Sequence, residues 1–67
     1  MDMKAFLKVS SKSELIRAAE LAGTTVNYFR QIAGGHRKAS PLLAKKIEKS
    51  TDGKVGRACL RPDVFAD

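Results

Sequence analysis

The stretch LIRAAELAGTTVNYFRQIAG, positions 15–34, constrains this chain more than any other part of it. It places small residues at Ala18, Ala19 and Ala22, a glycine at Gly23, and then a second helical pattern that turns Phe29 and Ile32 to one side. Two helices that cross steeply through a short turn need three things. The first helix needs a small side chain at the contact, the turn needs a residue at ease with positive φ, and the second helix needs bulky apolar groups to fill the angle. Ala19, Gly23, Phe29 and Ile32 meet those needs in that order, so a helix-turn-helix is expected over about 12–34.

The flanking segments carry their own helix signals. Asp2 can cap a short first helix in which Met3, Phe6 and Leu7 follow i, i+3, i+4 spacing. Ser11, followed by Glu14, matches a capping box and starts a second helix near Lys12, with Leu15, Ile16, Ala19 and Ala22 as its buried stripe and Gly23 as a left-handed C-cap. Thr25 is the N-cap candidate for the third helix, which turns Val26, Phe29, Ile32 and Ala33 inward. Ser40 and Pro41 pair a capping hydroxyl with a proline at the first helical position, opening a fourth helix that runs to about Ser50 with Leu42, Leu43 and Ile47 facing in. Asp52 and Gly53 make a turn. The remaining tail, about 54–67, is expected to hold one helical turn near 57–60 and then to run extended, with Val55, Leu60, Val64 and Phe65 as apolar anchors.

At 67 residues the chain makes one domain, 1–67, close to the lower limit for a core without disulfides or metal. An all-α fold follows: a compact bundle of four to five short helices containing the helix-turn-helix. No run approaches the roughly 18 apolar residues of a membrane span, and no signal peptide is read at the start, so a soluble, cytoplasmic protein is expected. Cys59 is the single cysteine and has no partner for an internal disulfide, which fits a reducing compartment.

The net charge is +6, and its placement is more informative than its size. Between positions 21 and 47 there is no Asp or Glu, while Arg30, Arg37, Lys38, Lys45 and Lys46 all fall there. An uncompensated basic stretch laid over a helix-turn-helix points to a polyanion, and in this setting to duplex DNA. Asn27, Arg30 and Gln31 share one polar face of the third helix, with Tyr28 at its margin. An arginine can fork onto guanine and Asn or Gln can make paired bonds to adenine, so these four are the candidates for reading bases. Thr24, Thr25, His36, Arg37, Lys38, Lys45 and Lys46 are the candidates for phosphate contacts, which fix register without telling sequences apart. His36 is expected to act as a loop donor. Catalysis finds no support, because one histidine, one cysteine and seven scattered acids supply no paired carboxylates, no metal-ligand spacing and no phosphate-cradling loop. No cofactor and no metal are expected.

With these residues in view, the chain resembles the small YdaS/Cro-like helix-turn-helix proteins encoded by prophages and bacterial toxin-antitoxin-type loci. The resemblance spans nearly the whole length and rests on AGTTVNYFRQIAGGHRKASP, with DGKV and LRPDVF similar to that family's C-terminal signature. It implies a DNA-binding transcriptional regulator similar to phage repressors, with DNA-facing positions at Thr25, Asn27, Tyr28, Arg30, Gln31, His36 and Arg37. Thr24 departs from the branched aliphatic usual at its turn position, and Gly56 stands where a capping Ser or Thr is expected. A repressor reading palindromic operator DNA in the major groove with helix 25–33 is the resulting expectation. One such helix offers few base contacts, so a weak homodimer formed on DNA is expected, with 55–65 as its pairing surface. The competing reading is an antitoxin-like helical module that masks a toxin protein with its basic surface. RNA is less well served, since no aromatic platform for unstacked bases is visible.

Overall fold

The computed structural model describes residues 1–65; the last two positions of the expected domain and tail lie outside the described residues. Among the described residues there are five helices and no strand: α1 (Met3–Val9), α2 (Lys12–Leu21), α3 (Val26–Ala33), α4 (Pro41–Ser50) and α5 (Arg57–Leu60). The bundle measures 31 × 22 × 19 Å. α1 packs on α3, α2 on both α3 and α4, and α5 on α4.

Each of the first four helices starts where its capping residue stands. The Asp2 carboxylate accepts the Ala5 N–H at 2.8 Å, and the Thr25 and Ser40 hydroxyls each accept an N–H three residues on at 3.1 Å. Ser11 and Glu14 form the full capping box, the hydroxyl accepting the Glu14 N–H at 3.2 Å and the carboxylate accepting the Ser11 N–H at 3.0 Å. These bonds satisfy the amides that a helix start leaves without partners.

The ends of α2 and α3 are closed by left-handed glycines. Gly23 (φ 76°) follows α2 and Gly35 (φ 80°) follows α3. In both, the glycine N–H returns to the carbonyl three residues back and the next N–H returns five back: Thr24 to Ala19 at 2.8 Å, His36 to Gln31 at 2.9 Å. This paired closure is the Schellman motif. The expected C-cap at Gly23 is therefore present.

The core holds Met3, Phe6, Leu15, Ala18, Ala19, Ala22, Phe29, Ala39, Ala44, Ile47, Val55 and Leu60. Leu7, Val26, Ile32, Ala33, Leu43 and Phe65 pack partly buried against it, whereas two residues expected on the inner helix faces are exposed, Ile16 at 41% and Leu42 at 64%. The alanines explain both departures. α2 meets its neighbours through Leu15, Ala18, Ala19 and Ala22, and α4 is drawn in at Ala44 and Ile47. Small side chains at the crossings let the helices approach closely, and the bulkier residues fall off the contact, Ile16 about 100° around α2 from Leu15 and Leu42 about 160° around α4 from Ala44.

The C-terminal segment also departs from expectation. Val55 is fully buried and Leu60 is 8% exposed, so two of the four apolar anchors in the segment expected to pair two copies belong to the chain's own core, while Phe65 packs half-buried against it and Val64 is 47% exposed. The buried Thr51 hydroxyl fastens this return, donating to the Ile47 carbonyl at 2.8 Å and accepting the Val55 N–H at 3.1 Å. The helical turn at α5 forms where expected even though Gly56 offers no cap. Its missing acceptor comes from α4, where the Glu48 carboxylate accepts the Arg57 N–H at 2.8 Å. Beyond α5 the chain turns instead of extending, because the Val64 and Phe65 N–H groups both return to the Arg61 carbonyl at 3.0 and 2.9 Å.

Candidate nucleic-acid interface

The orientation of α3 is fixed from inside. Phe29 is fully buried, and Val26, Ile32 and Ala33 pack partly buried against the same core. With that side held, Asn27 and Arg30 are exposed and Tyr28 and Gln31 are half-buried at the edges. Asn27, Arg30 and Gln31 thus occupy the outward part of one helix, as their i, i+3, i+4 spacing requires. Arg30 offers a planar fork of N–H donors, and Asn27 and Gln31 each offer an amide with both donor and acceptor.

The threonines before α3 divide their work. Thr25 caps the helix through its oxygen and is itself exposed, leaving its hydroxyl proton to donate outward. Thr24 is half-buried and its N–H is committed to the Ala19 carbonyl.

His36, Arg37 and Lys38 follow α3 as an exposed loop. Its start is held by backbone alone, with the His36 and Arg37 N–H groups both donating to the Gln31 carbonyl at 2.9 and 3.2 Å. The His36 ring folds back over Gly34, where an added Cβ would lie 3.1 Å from its Cδ2. The end of the loop is held by a side chain that the sequence reading did not single out. Arg61 donates from Nη1 to the Ala39 carbonyl at 3.1 Å, and from Nε and Nη2 to the two Asp63 carboxylate oxygens at 3.0 and 2.9 Å. Asp63 stands 4.0 Å from Lys38 Nζ, which brings a negative charge beside the acid-free stretch. The hydrogen bonds from Arg61, helped by the positive charges of Arg61 and Lys38, hold the Asp63 carboxyl down at about 2.

Lys4 on α1 joins the loop cations, since Lys4, His36, Arg37 and Lys38 line one hollow of about 490 Å³ with Met3 and Ile32 among its apolar walls. Sequence reasoning missed Lys4 because its nearest signal was only the outward face of a short helix. Lys45 and Lys46 are exposed on α4, which packs on α2 and α5. Lys45 lies 5.8 Å over the Phe65 ring, which Arg57 approaches at 5.3 Å, so Lys45 has a cation–π partner of its own. Lys46 lines a separate hollow with Leu21, Lys49 and Ser50. The structure therefore gathers Asn27, Tyr28, Arg30, Gln31, His36, Arg37 and Lys38 on α3 and its following loop, and sets Lys45 and Lys46 on a different element.

Among the described residues, no group of three His, Cys, Asp or Glu side chains could hold a metal ion, and no helix is long and apolar enough to cross a membrane. No family model matches the chain. A prophage transcriptional regulatory protein of Escherichia coli (strain K12) is 38% identical to it over 63 residues, which make up 94% of this chain and 96% of that protein. With that identity over almost the full length of both, the chain belongs to the family of that prophage regulator.

Proposed function

We propose that this protein is a sequence-specific, double-stranded DNA-binding transcriptional regulator, a Cro-like repressor that sets α3 in the major groove of operator DNA. The observation that carries the reading is the division of α3. Its inner side is locked by Phe29, while Asn27 and Arg30 are exposed on the side away from the core and Gln31 is half-buried at its edge. A rigid helix with donors and acceptors of that kind can read base edges, because the geometry of paired hydrogen bonds is set before contact. Tyr28 sits where it can touch a thymine methyl or a phosphate. Thr25, His36, Arg37 and Lys38 flank the helix and contact the phosphates on either side. Thr24, Lys45 and Lys46 are assigned lesser phosphate roles, the first because its backbone is committed and the lysines because they lie on α4. The relationship to a prophage transcriptional regulatory protein supports the same reading.

One α3 carries too few base contacts to select a site from a genome, so two copies bind a palindromic operator with their α3 helices about 34 Å apart. The interface between copies is small and forms on DNA, since Val55 and Leu60 belong to the core. Selection of bound duplexes from a random pool, followed by sedimentation of the complex, tests both statements. A symmetric consensus carrying two proteins is the expected result. Absence of any enriched sequence, at low as well as moderate salt, would sink the reading.

A further inference from the structure

The segment LRPDVF at 60–65 has no place on the reading face, yet its polar side chains are directed at the basic loop. Arg61 leaves only 19% of its side chain exposed. A guanidinium offers its N–H donors in one plane. With Nε and Nη2 both on the Asp63 carboxylate, that plane is fixed, and Nη1 is left aimed at the Ala39 carbonyl, 22 residues upstream. Pro62 between the two charged residues restricts the backbone that sets them side by side. Ala39 itself is buried, directly after Lys38 and directly before the Ser40 cap of α4. The loop is thus tied at its start to the Gln31 carbonyl and at its end to Arg61, with the exposed Arg37 and Lys38 between the ties.

We propose that Arg61, aligned by Asp63, is a positioning residue for phosphate binding: it holds the 36–39 loop in one geometry so that Arg37 and Lys38 meet the DNA backbone already ordered. This inference rests on the duplex-binding reading above. An exposed loop that must be ordered on binding loses conformational entropy at that moment, and holding it beforehand moves that cost into folding. The contact between Lys38 and Asp63 is exposed and at the limit of an ion pair, so a phosphate can displace it.

Arg61→Lys tests the idea, because it keeps the charge and removes the planar fork. In the free variant, nitrogen relaxation should show order parameters at Arg37, Lys38 and Ala39 falling from about 0.85 toward 0.6, with α3 unchanged. Anisotropy titrations should show binding about three- to tenfold weaker on selected and random duplex alike, the scale of one or two lost hydrogen bonds. The slope of log affinity against log salt should stay the same, since no phosphate-contacting charge is gone. Asp63→Asn should loosen the same loop through loss of alignment. Placed on an Arg37→Ala, Lys38→Ala background, Arg61→Lys should weaken binding no further, whereas a domain that is merely destabilised would go on losing affinity there. Wild-type affinity in Arg61→Lys, or an undiminished loss on the double-alanine background, overturns the proposal. If the wild-type protein retains no duplex, the duplex-binding reading fails and this inference with it. If wild type binds and only the variant's loop order is unchanged, the fault lies with the clasp alone.

Discussion

The connection from α2 to α3 and the connection from α3 to α4 begin alike and finish differently. Both open with a left-handed glycine and the same pair of returning N–H groups. After Gly23 the chain reaches its next cap, Thr25, two residues later, and every tie in that turn is local. After Gly35 it runs through His36, Arg37 and Lys38 before Ser40, and its far end depends on Arg61. A short turn is determined by its own residues, whereas a longer basic loop borrows its geometry from elsewhere in the fold. The first sets the angle of α3 and the second carries Arg37 and Lys38 beside it, so rigidity is supplied to them by different means.

The largest expected effect separates the two glycines. A Cβ at either position meets nothing within 4 Å, so substitution acts through backbone conformation alone. Gly23→Val should destabilise the fold by about 1 to 3 kcal/mol, because a β-branched residue is strained at positive φ and the short turn has no slack. Gly35→Val should destabilise it less, since the exposed loop beyond can relax, but should weaken duplex binding more than its change in melting temperature implies. Thermal melts and titrations on both variants check this, and equal stability losses with equal affinity losses would erase the distinction between the connections.

Arg30→Ala acts on the helix that the short turn aims. It should lower affinity for the selected site by about 1 to 3 kcal/mol and flatten preference at one base pair, with little change on random duplex. Lys38→Ala, on the loop, should instead weaken all sequences alike and lower the salt slope by roughly one unit. Competition titrations at several salt concentrations distinguish them. The same loss on random and selected DNA for Arg30→Ala would remove it from the base-reading set.

What the sequence made legible follows the same division between local and distant ties. The capping box at Ser11 and Glu14, the Thr25 cap, the Ser40 and Pro41 start and the Gly23 stop all act within a few residues, and each was readable as a short pattern. Ile16 and Leu42 read as inward from apolar spacing along their helices, whereas burial follows the alanines that allow close approach. Glu48 capping α5 from nine residues away, and Arg61 reaching Ala39 from 22, leave no local pattern. Val55 and Leu60 were readable as apolar, but not as inward, because their partners lie on helices that only the fold brings near. Lys4 joined the loop cations for the same reason.

Caps give a smaller effect that tests whether the short turn is self-sufficient. Thr25→Ala and Ser40→Ala should each lower stability by about 1 kcal/mol, since each hydroxyl accepts an N–H at 3.1 Å at a helix start. Thr25→Ala should also blunt site selectivity by loosening the first turn of α3, while Ser40→Ala should leave the preferred sequence unchanged. Chemical denaturation read beside binding selectivity checks the pair, and a selectivity change in Ser40→Ala would mean that α4 helps to aim the reading helix.

The smallest effect is the acid response of the Arg61 clasp. Asp63 lies at about 2 in the folded protein against its ordinary 3.8, held down first by the hydrogen bonds from Arg61. A carboxyl lowered on folding contributes stability at pH above its unfolded value, and that contribution is lost as pH falls through the folded value. The clasp should therefore be fully present above about pH 5 and lost progressively as pH falls through about 4 and on below about 2. Glu14 is lowered too, by its bonds to Ser11, so acid melts of the wild type alone mix two groups. The difference in melting temperature between wild type and Asp63→Asn isolates the clasp, because Glu14 is common to both. That difference should stay level from pH 7 to about 5, shrink as pH falls through about 4, and approach zero only below about 2. A difference that stays level down through about pH 2 would mean that ionisation of Asp63 adds nothing to the fold, and that the bond from Arg61 to the Ala39 carbonyl holds the long loop without it.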